Sequence, residues 1–143
     1  RMNNPADNVG TVARIAEAFC IAMVWADAEE GTSPRVPNET RIAAQQYVHA
    51  FLSAHPDICA AALGSDDYGW HNGVHDTCAA FGHDLYLTAR GHGAGFADRD
   101  ALGELADKLH GAVWGNGNWQ RWEVETYQAR GWVYMTDRLG VQP

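Results

Sequence analysis

Lysine is nearly missing from this chain: Lys108 is the sole lysine among ten basic residues, and the other nine are arginine. That bias fits GC-rich coding better than it fits any mechanism. Serine is equally scarce, at Ser33, Ser53 and Ser65, and no Gly-x-Ser-x-Gly, His-Glu-x-x-His or phosphate-loop pattern occurs. The usual starting points for a serine hydrolase, a zinc peptidase or a nucleotide triphosphatase are therefore lacking. Three cysteines, Cys20, Cys59 and Cys78, are odd in number and contain no C-x-x-C pair, which excludes a disulfide framework. Each lies among Ala, Ile, Val or Phe, the setting of a small buried hydrophobe in a reducing cytosol. The longest apolar run, Ala18–Ala26, covers nine residues, less than half of the ~20 that a membrane span needs. Residues 1–5 offer no apolar signal core. No membrane association is expected, and the expected location is the cytoplasm. Positive charge is also short: ten Lys and Arg against eighteen Asp and Glu give net −8. That balance disfavours direct binding to nucleic acid or anionic lipid. The acidic residues are scattered, which argues against nucleic-acid mimicry as well.

What is present reads as a single α+β domain over residues 2–143, since 143 residues with 46% apolar content can bury about two-thirds of their surface. The expected division is a helical half over residues 8–82 and a hairpin–helix–hairpin half over 83–137. Val12, Ile15, Ala16, Phe19 and Met23 form one helical stripe. Ala43, Tyr47, Ala50, Phe51 and Ala54 form a second, between Pro37-Asn38 and His55. Pro56 opens a short helix that Gly64 closes. Residues 64–73 read as a loop, and Val74, Cys78 and Phe81 as a brief stripe capped by Gly82. Asp84–Thr88 and Ala94–Asp98 alternate around Gly91-His92-Gly93, which predicts a β-hairpin. Asp100 is then a fitting N-cap for a helix carrying Leu102, Leu105, Leu109 and Val113. A second hairpin is expected from Trp122, Val124 and Thr126 to Val133 and Met135, turning at Ala129-Arg130-Gly131. Together these predict a small antiparallel sheet covered by helices.

The stretch Gly82-His83-Asp84-Leu85-Tyr86-Leu87-Thr88, then Gly91-His92-Gly93-Ala94-Gly95-Phe96-Ala97-Asp98-Arg99 and Leu102-Gly103-Glu104-Leu105, resembles a segment of a family of small, acidic, uncharacterised bacteriophage and prophage proteins. The likeness covers about 25 residues by count of the segment. Leu85 and Ala97 stand where that family has aromatics, and Ala89-Arg90 where it has Arg-Asn. The resemblance implies a phage origin and no particular reaction.

Several residues of this stretch have chemical potential. Were the protein an enzyme, His83, Asp84, His92 and Asp98 would be the catalytic candidates, serving a phosphodiester or nucleotide hydrolase or a metal-dependent one. In the predicted hairpin Asp84 faces Asp98, a like-charge pair that needs relief from Arg99, a helix N-terminus or a divalent cation. The favoured relief is an Arg99–Asp84 ion pair, with Asp98 and Asp100 capping the next helix. His83 and His92 would lie about 13 Å apart, too far to share a metal or a proton. His71-x₃-His75-x₂-Cys78-x₄-His83 is a set of zinc-type ligands, but at a spacing that matches no defined zinc signature. No cofactor is expected; the divalent metal is the exception the sequence leaves open. Four of six tryptophans, Trp114, Trp119, Trp122 and Trp132, fall within 19 residues. Trp122 and Trp132 sit in strand patterns and are assigned to the core; Trp114 and Trp119 flank Gly115–Asn118 and are the binding candidates, with Arg90 and Arg99. The leading expectation is an accessory protein that acts by binding, inhibiting a host or defence factor, with the small hydrolase as the alternative.

Overall fold

A computed structural model describes residues 4–115 and 122–139. Five helices, α1 (Val9–Asp27), α2 (Asn38–Ala54), α3 (Pro56–Leu63), α4 (Thr77–Ala89) and α5 (Glu104–Trp114), pack with two antiparallel two-stranded sheets. One sheet pairs β1 (Trp70–His71) with β2 (Val74–His75); the other pairs β3 (Val124–Ala129) with β4 (Trp132–Asp137). The α+β class expected above is the class observed.

The first three helices form where the apolar stripes and prolines place them. The Asn8 side chain accepts a hydrogen bond from the Thr11 amide and opens α1, whose inward face carries Val12, Ile15, Ala16, Phe19 and Met23. At 19 residues and mean hydropathy 1.5, α1 is long and apolar enough to cross a membrane. Its inner face is instead the centre of the core: Ile15, Phe19, Ala22 and Met23 are fully buried. Proline occupies the first turn of α3, and Gly64 ends it.

Helix α4 lies against α1 at very short range. A Cβ on Gly82 would stand 2.2 Å from the Ile15 carbonyl oxygen and 2.8 Å from the Ala18 Cβ, so only glycine lets these backbones approach. Tyr86 meets Phe19 edge-on at 5.1 Å, and Phe81 packs on Phe96 at 5.1 Å. Around this pair, Tyr47 of α2 donates its hydroxyl to the Trp122 carbonyl at 2.5 Å. Trp122 is buried as expected, whereas Trp132 is 37% exposed, with the Arg35 guanidinium 5.9 Å above its ring. The β3–β4 hairpin turns at Arg130 and Gly131, both at positive φ, the geometry of a two-residue hairpin turn. Arg35 docks on its outer edge, donating to the Gly131 carbonyl at 2.8 Å and accepting from the Val133 amide at 2.9 Å.

Three expectations are corrected. Residues 84–88 are not a strand, and no hairpin forms around Gly91-His92-Gly93: α4 runs through Gly82 to Ala89, and the expected divide at residue 82 falls inside it. Nine of its thirteen residues are buried, so α4 has no polar stripe, and its alternation of Asp, Leu, Tyr, Leu and Thr imitates a strand. Gly91-His92 instead closes the helix. The Gly91 amide donates to the Thr88 carbonyl and the His92 amide to that of Leu87, with Gly91 at φ 76; this is the glycine-terminated helix end. Finally, Asp100 begins a 3₁₀ turn, Asp100–Leu102, and α5 starts at Glu104 with no side-chain cap.

The close α1–α4 approach gives a paired prediction. Gly82→Ala should cost about 3 kcal/mol through overpacking, read as a lower urea midpoint. Gly111→Ala in α5, where an added Cβ meets nothing within 4 Å, should raise stability by roughly 0.5–1 kcal/mol.

Candidate functional site

Beside α4 lies a cleft of about 880 Å³. One wall is α4 itself, with Ala79, Ala80, His83 and Asp84; the second is the loop and hairpin from Asp67 to Asp76; the third is the segment from Asp98 to Ala101. The hairpin owes its position to Asn72-Gly73, both at positive φ (50 and 78), the pairing that a two-residue hairpin turn requires. It stacks Trp70 on His75 at 4.7 Å, and the Trp70 indole N–H donates to the Asp66 carbonyl at 2.8 Å. Trp70 and Val74 nevertheless stay 58% and 63% exposed.

The three walls meet at Asp84, which is 1% exposed. A buried carboxylate needs its charge and lone pairs answered. Tyr68 donates its hydroxyl to Oδ2 at 2.6 Å, and Arg99 donates from Nε at 2.9 Å and from its terminal nitrogen at 2.8 Å, both to Oδ1. Burial, reinforced by the negative charge of Asp84, pushes the Tyr68 phenol far above its ordinary pKa. Hydrogen bonding to Asp84 raises Arg99 despite the opposing effect of burial. The expected Arg99–Asp84 pair is thus present, reached from a helix rather than from a strand. Asp98 and Asp100 flank Arg99 as exposed carboxylates on the cleft.

His83 is half-buried on the same wall, with its ring 5.3 Å from that of Trp25 on α1. Burial lowers its pKa, and Arg99 adds to that effect while Asp84 opposes it, which favours the neutral ring. His92 is elsewhere. Its Nε2 lies 3.1 Å from both oxygens of Asp27 at the end of α1. The Tyr86 hydroxyl also donates to Asp27, and Arg90 Nε does so at 3.3 Å. Burial raises the Asp27 pKa, but the hydrogen bonds from Tyr86 and His92 and the charge of Arg90 together hold it below the usual carboxylate value. Arg90 further donates to the Val124 carbonyl at 3.3 Å. Arg90 and His92 therefore join α4 to α1 and β3.

The cleft thus gathers His83, Asp84, Asp98 and Arg99 and leaves out His92, Arg90 and Trp114. The Trp114 indole N–H donates to the Thr88 carbonyl at 2.9 Å, which ties this tryptophan to the end of α4. Trp119 lies outside the described residues. His71 and His75 are not on a helix: they stand on paired strands, and Cys78 is buried in α4. His75 Nε2 faces the Ser65 and Tyr68 carbonyls at 3.1 and 2.8 Å, and two acceptors make it a donor. Among the described residues no group of three or more His, Cys, Asp or Glu is placed to hold a metal ion. Trp70, Tyr68 and Trp25 were missed in the sequence, although the Asn72-Gly73 dipeptide is itself a hairpin signal. The chain matches no known family, no curated protein and no solved structure.

Two outcomes follow for stability. Asp84→Ala leaves the Tyr68 hydroxyl and the Arg99 guanidinium without their acceptor and should cost roughly 3–5 kcal/mol, measured by urea unfolding. The pH dependence has two parts, because the unfolded chain binds more protons than the folded one wherever a folded pKa is depressed. For His83 the loss of stability begins below about pH 6.5, and for Asp27 below about pH 4. Unfolding followed from pH 8 to pH 3 should show the upper step reduced in His83→Gln and the lower in Asp27→Asn. His55, which burial also lowers, leaves a residue of the upper step.

Proposed function

We propose that the protein acts by binding another protein through this cleft, as a phage-derived accessory protein that inhibits a host or defence factor in the bacterial cytoplasm. The phage assignment rests on the segment from Gly82 to Leu105. The observation that carries the binding reading is the cleft lip: Trp70 and Val74 are more than half exposed on the short hairpin beside the Arg99–Asp84 ion pair. Large apolar side chains held in water next to a concave surface are the usual composition of a recognition site. Trp25, 72% exposed, and Ile21, 60% exposed, extend an apolar face along α1 past His83.

The hydrolase alternative draws support from the convergence of His83, Asp84 and Asp98 on one cleft. Against it, both oxygens of Asp84 are engaged by Tyr68 and Arg99, and no serine, threonine or cysteine lines the cleft. Asp84 in this arrangement holds Tyr68 and Arg99 in place.

Wild-type protein used as bait in host lysate should retain a specific protein. A Trp70→Ala/Val74→Asp variant, with both changes at exposed positions, should lose at least nine-tenths of that capture while keeping the wild-type melting profile. Equal capture by bait and variant would sink the reading.

A further inference from the structure

We infer that the cleft receives a cationic side chain, arginine or lysine, presented by the partner beside an apolar residue. This deepens the binding reading and rests on it. The charge of the walls is one-sided. Among the described residues, five aspartates line the cleft, Asp67, Asp76, Asp84, Asp98 and Asp100, against Arg99 as the one lining residue that is always cationic. Arg99 and Asp84 answer each other at 2.8 Å, and burial favours the neutral ring of His83. Four carboxylates, all exposed, are left over. The Asp76 carboxylate also accepts the Ala79 amide and caps α4.

The aromatic wall has the complementary chemistry. Trp70 is pinned at one edge by its bond to the Asp66 carbonyl and on one face by His75, yet is 58% exposed. An indole face beside carboxylates attracts a guanidinium or ammonium through its ring quadrupole and their Coulomb field together. The methylene stem of such a side chain is matched by Ala79, Ala80 and Val74 along the floor and lip. An anionic segment meets the same four carboxylates and is repelled. With net −8 over the whole chain, long-range attraction favours a basic partner during encounter as well.

The test is a nuclear magnetic resonance titration of the full chain with a short alternating Arg-Leu peptide and, separately, its Glu-Leu counterpart. The Arg-Leu peptide should saturably shift the Trp70 indole signal and the amides of Asp98 and Asp100, and the Glu-Leu peptide should not. Affinity should fall about tenfold in Trp70→Ala and in Asp98→Asn/Asp100→Asn, and about tenfold between low and 0.5 M salt, as for an exposed charge contact joined to an aromatic one. Shifts scattered over the acidic surface but missing the Trp70 indole would overturn the assignment. So would shifts at the cleft caused by the Glu-Leu peptide or by raising the protein concentration alone, which would give it to an anionic partner or to a second copy. Lysate capture that depends on Trp70 with no response to the Arg-Leu peptide would remove the cation and leave the binding reading standing. A peptide response with no lysate capture would do the reverse.

Discussion

A carboxylate almost cut off from water organises one side of this molecule. Asp84 is 1% exposed, and leaving an ionised group there unanswered would cost several kcal/mol. The two residues that answer it come from different segments: Tyr68 from the loop after α3, and Arg99 from the segment before α5. Each brings its segment against α4, and the space between the two is the cleft. Cleft and buried ion pair are thus one construction. The exposed side of Arg99 looks into the cleft, while its inner side is held by the acid beneath.

Helix α4 works on two faces. At about 100° per residue, positions 84 and 88 share one side and positions 86 and 90 the opposite one. On the first side, the Thr88 hydroxyl donates to the Asp84 carbonyl at 2.7 Å and accepts the Phe96 amide at 3.1 Å. Gly95 lies so close that a Cβ would stand 2.3 Å from the Thr88 oxygen. On the second, Tyr86 and Arg90, joined by His92 from just beyond the helix, converge on Asp27. Most residues of the stretch from Gly82 to Arg99 are therefore spent in holding α4 to its neighbours. The large apolar side chains left exposed beside the cleft, Trp70 and Val74, stand on the 70–75 hairpin, outside that stretch.

The legibility of the elements follows their burial. Helices α1 and α2 each bury one face and expose the other, and their apolar residues recur at three and four. Helix α4 is covered nearly all round, and Leu85, Tyr86 and Leu87 are all buried in succession. A helix with no wet face has no period to read, so the alternation at 84–88 and the glycines at 91 and 93 composed a false hairpin. The true short hairpin, at Trp70–His75, is signalled by Asn72-Gly73, but its strands are two residues each, too short to show an alternation, and residues 64–73 read as a loop. Within the candidate site, the Arg99–Asp84 pair follows from opposite charge and from a hairpin register that does not exist; the pair is present although α4 is a helix. The role of Tyr68 could not be anticipated, since it depends on the chain folding back over a separation of sixteen positions.

By itself the sequence determined the class, the presence and order of α1 to α3, the β3–β4 hairpin and the attraction between Asp84 and Arg99. These depend on local periodicity, on turn chemistry and on opposite charge, all of which act within a few residues or without regard to direction. The tertiary structure alone decided that Asp84 and Asp98 share a cleft without facing each other in a ladder, that His92 pairs with Asp27, and that Trp70 forms the lip. Those outcomes were set by which faces of α4 the rest of the chain covered, and burial of that kind is a sum over distant segments that no local window of residues contains.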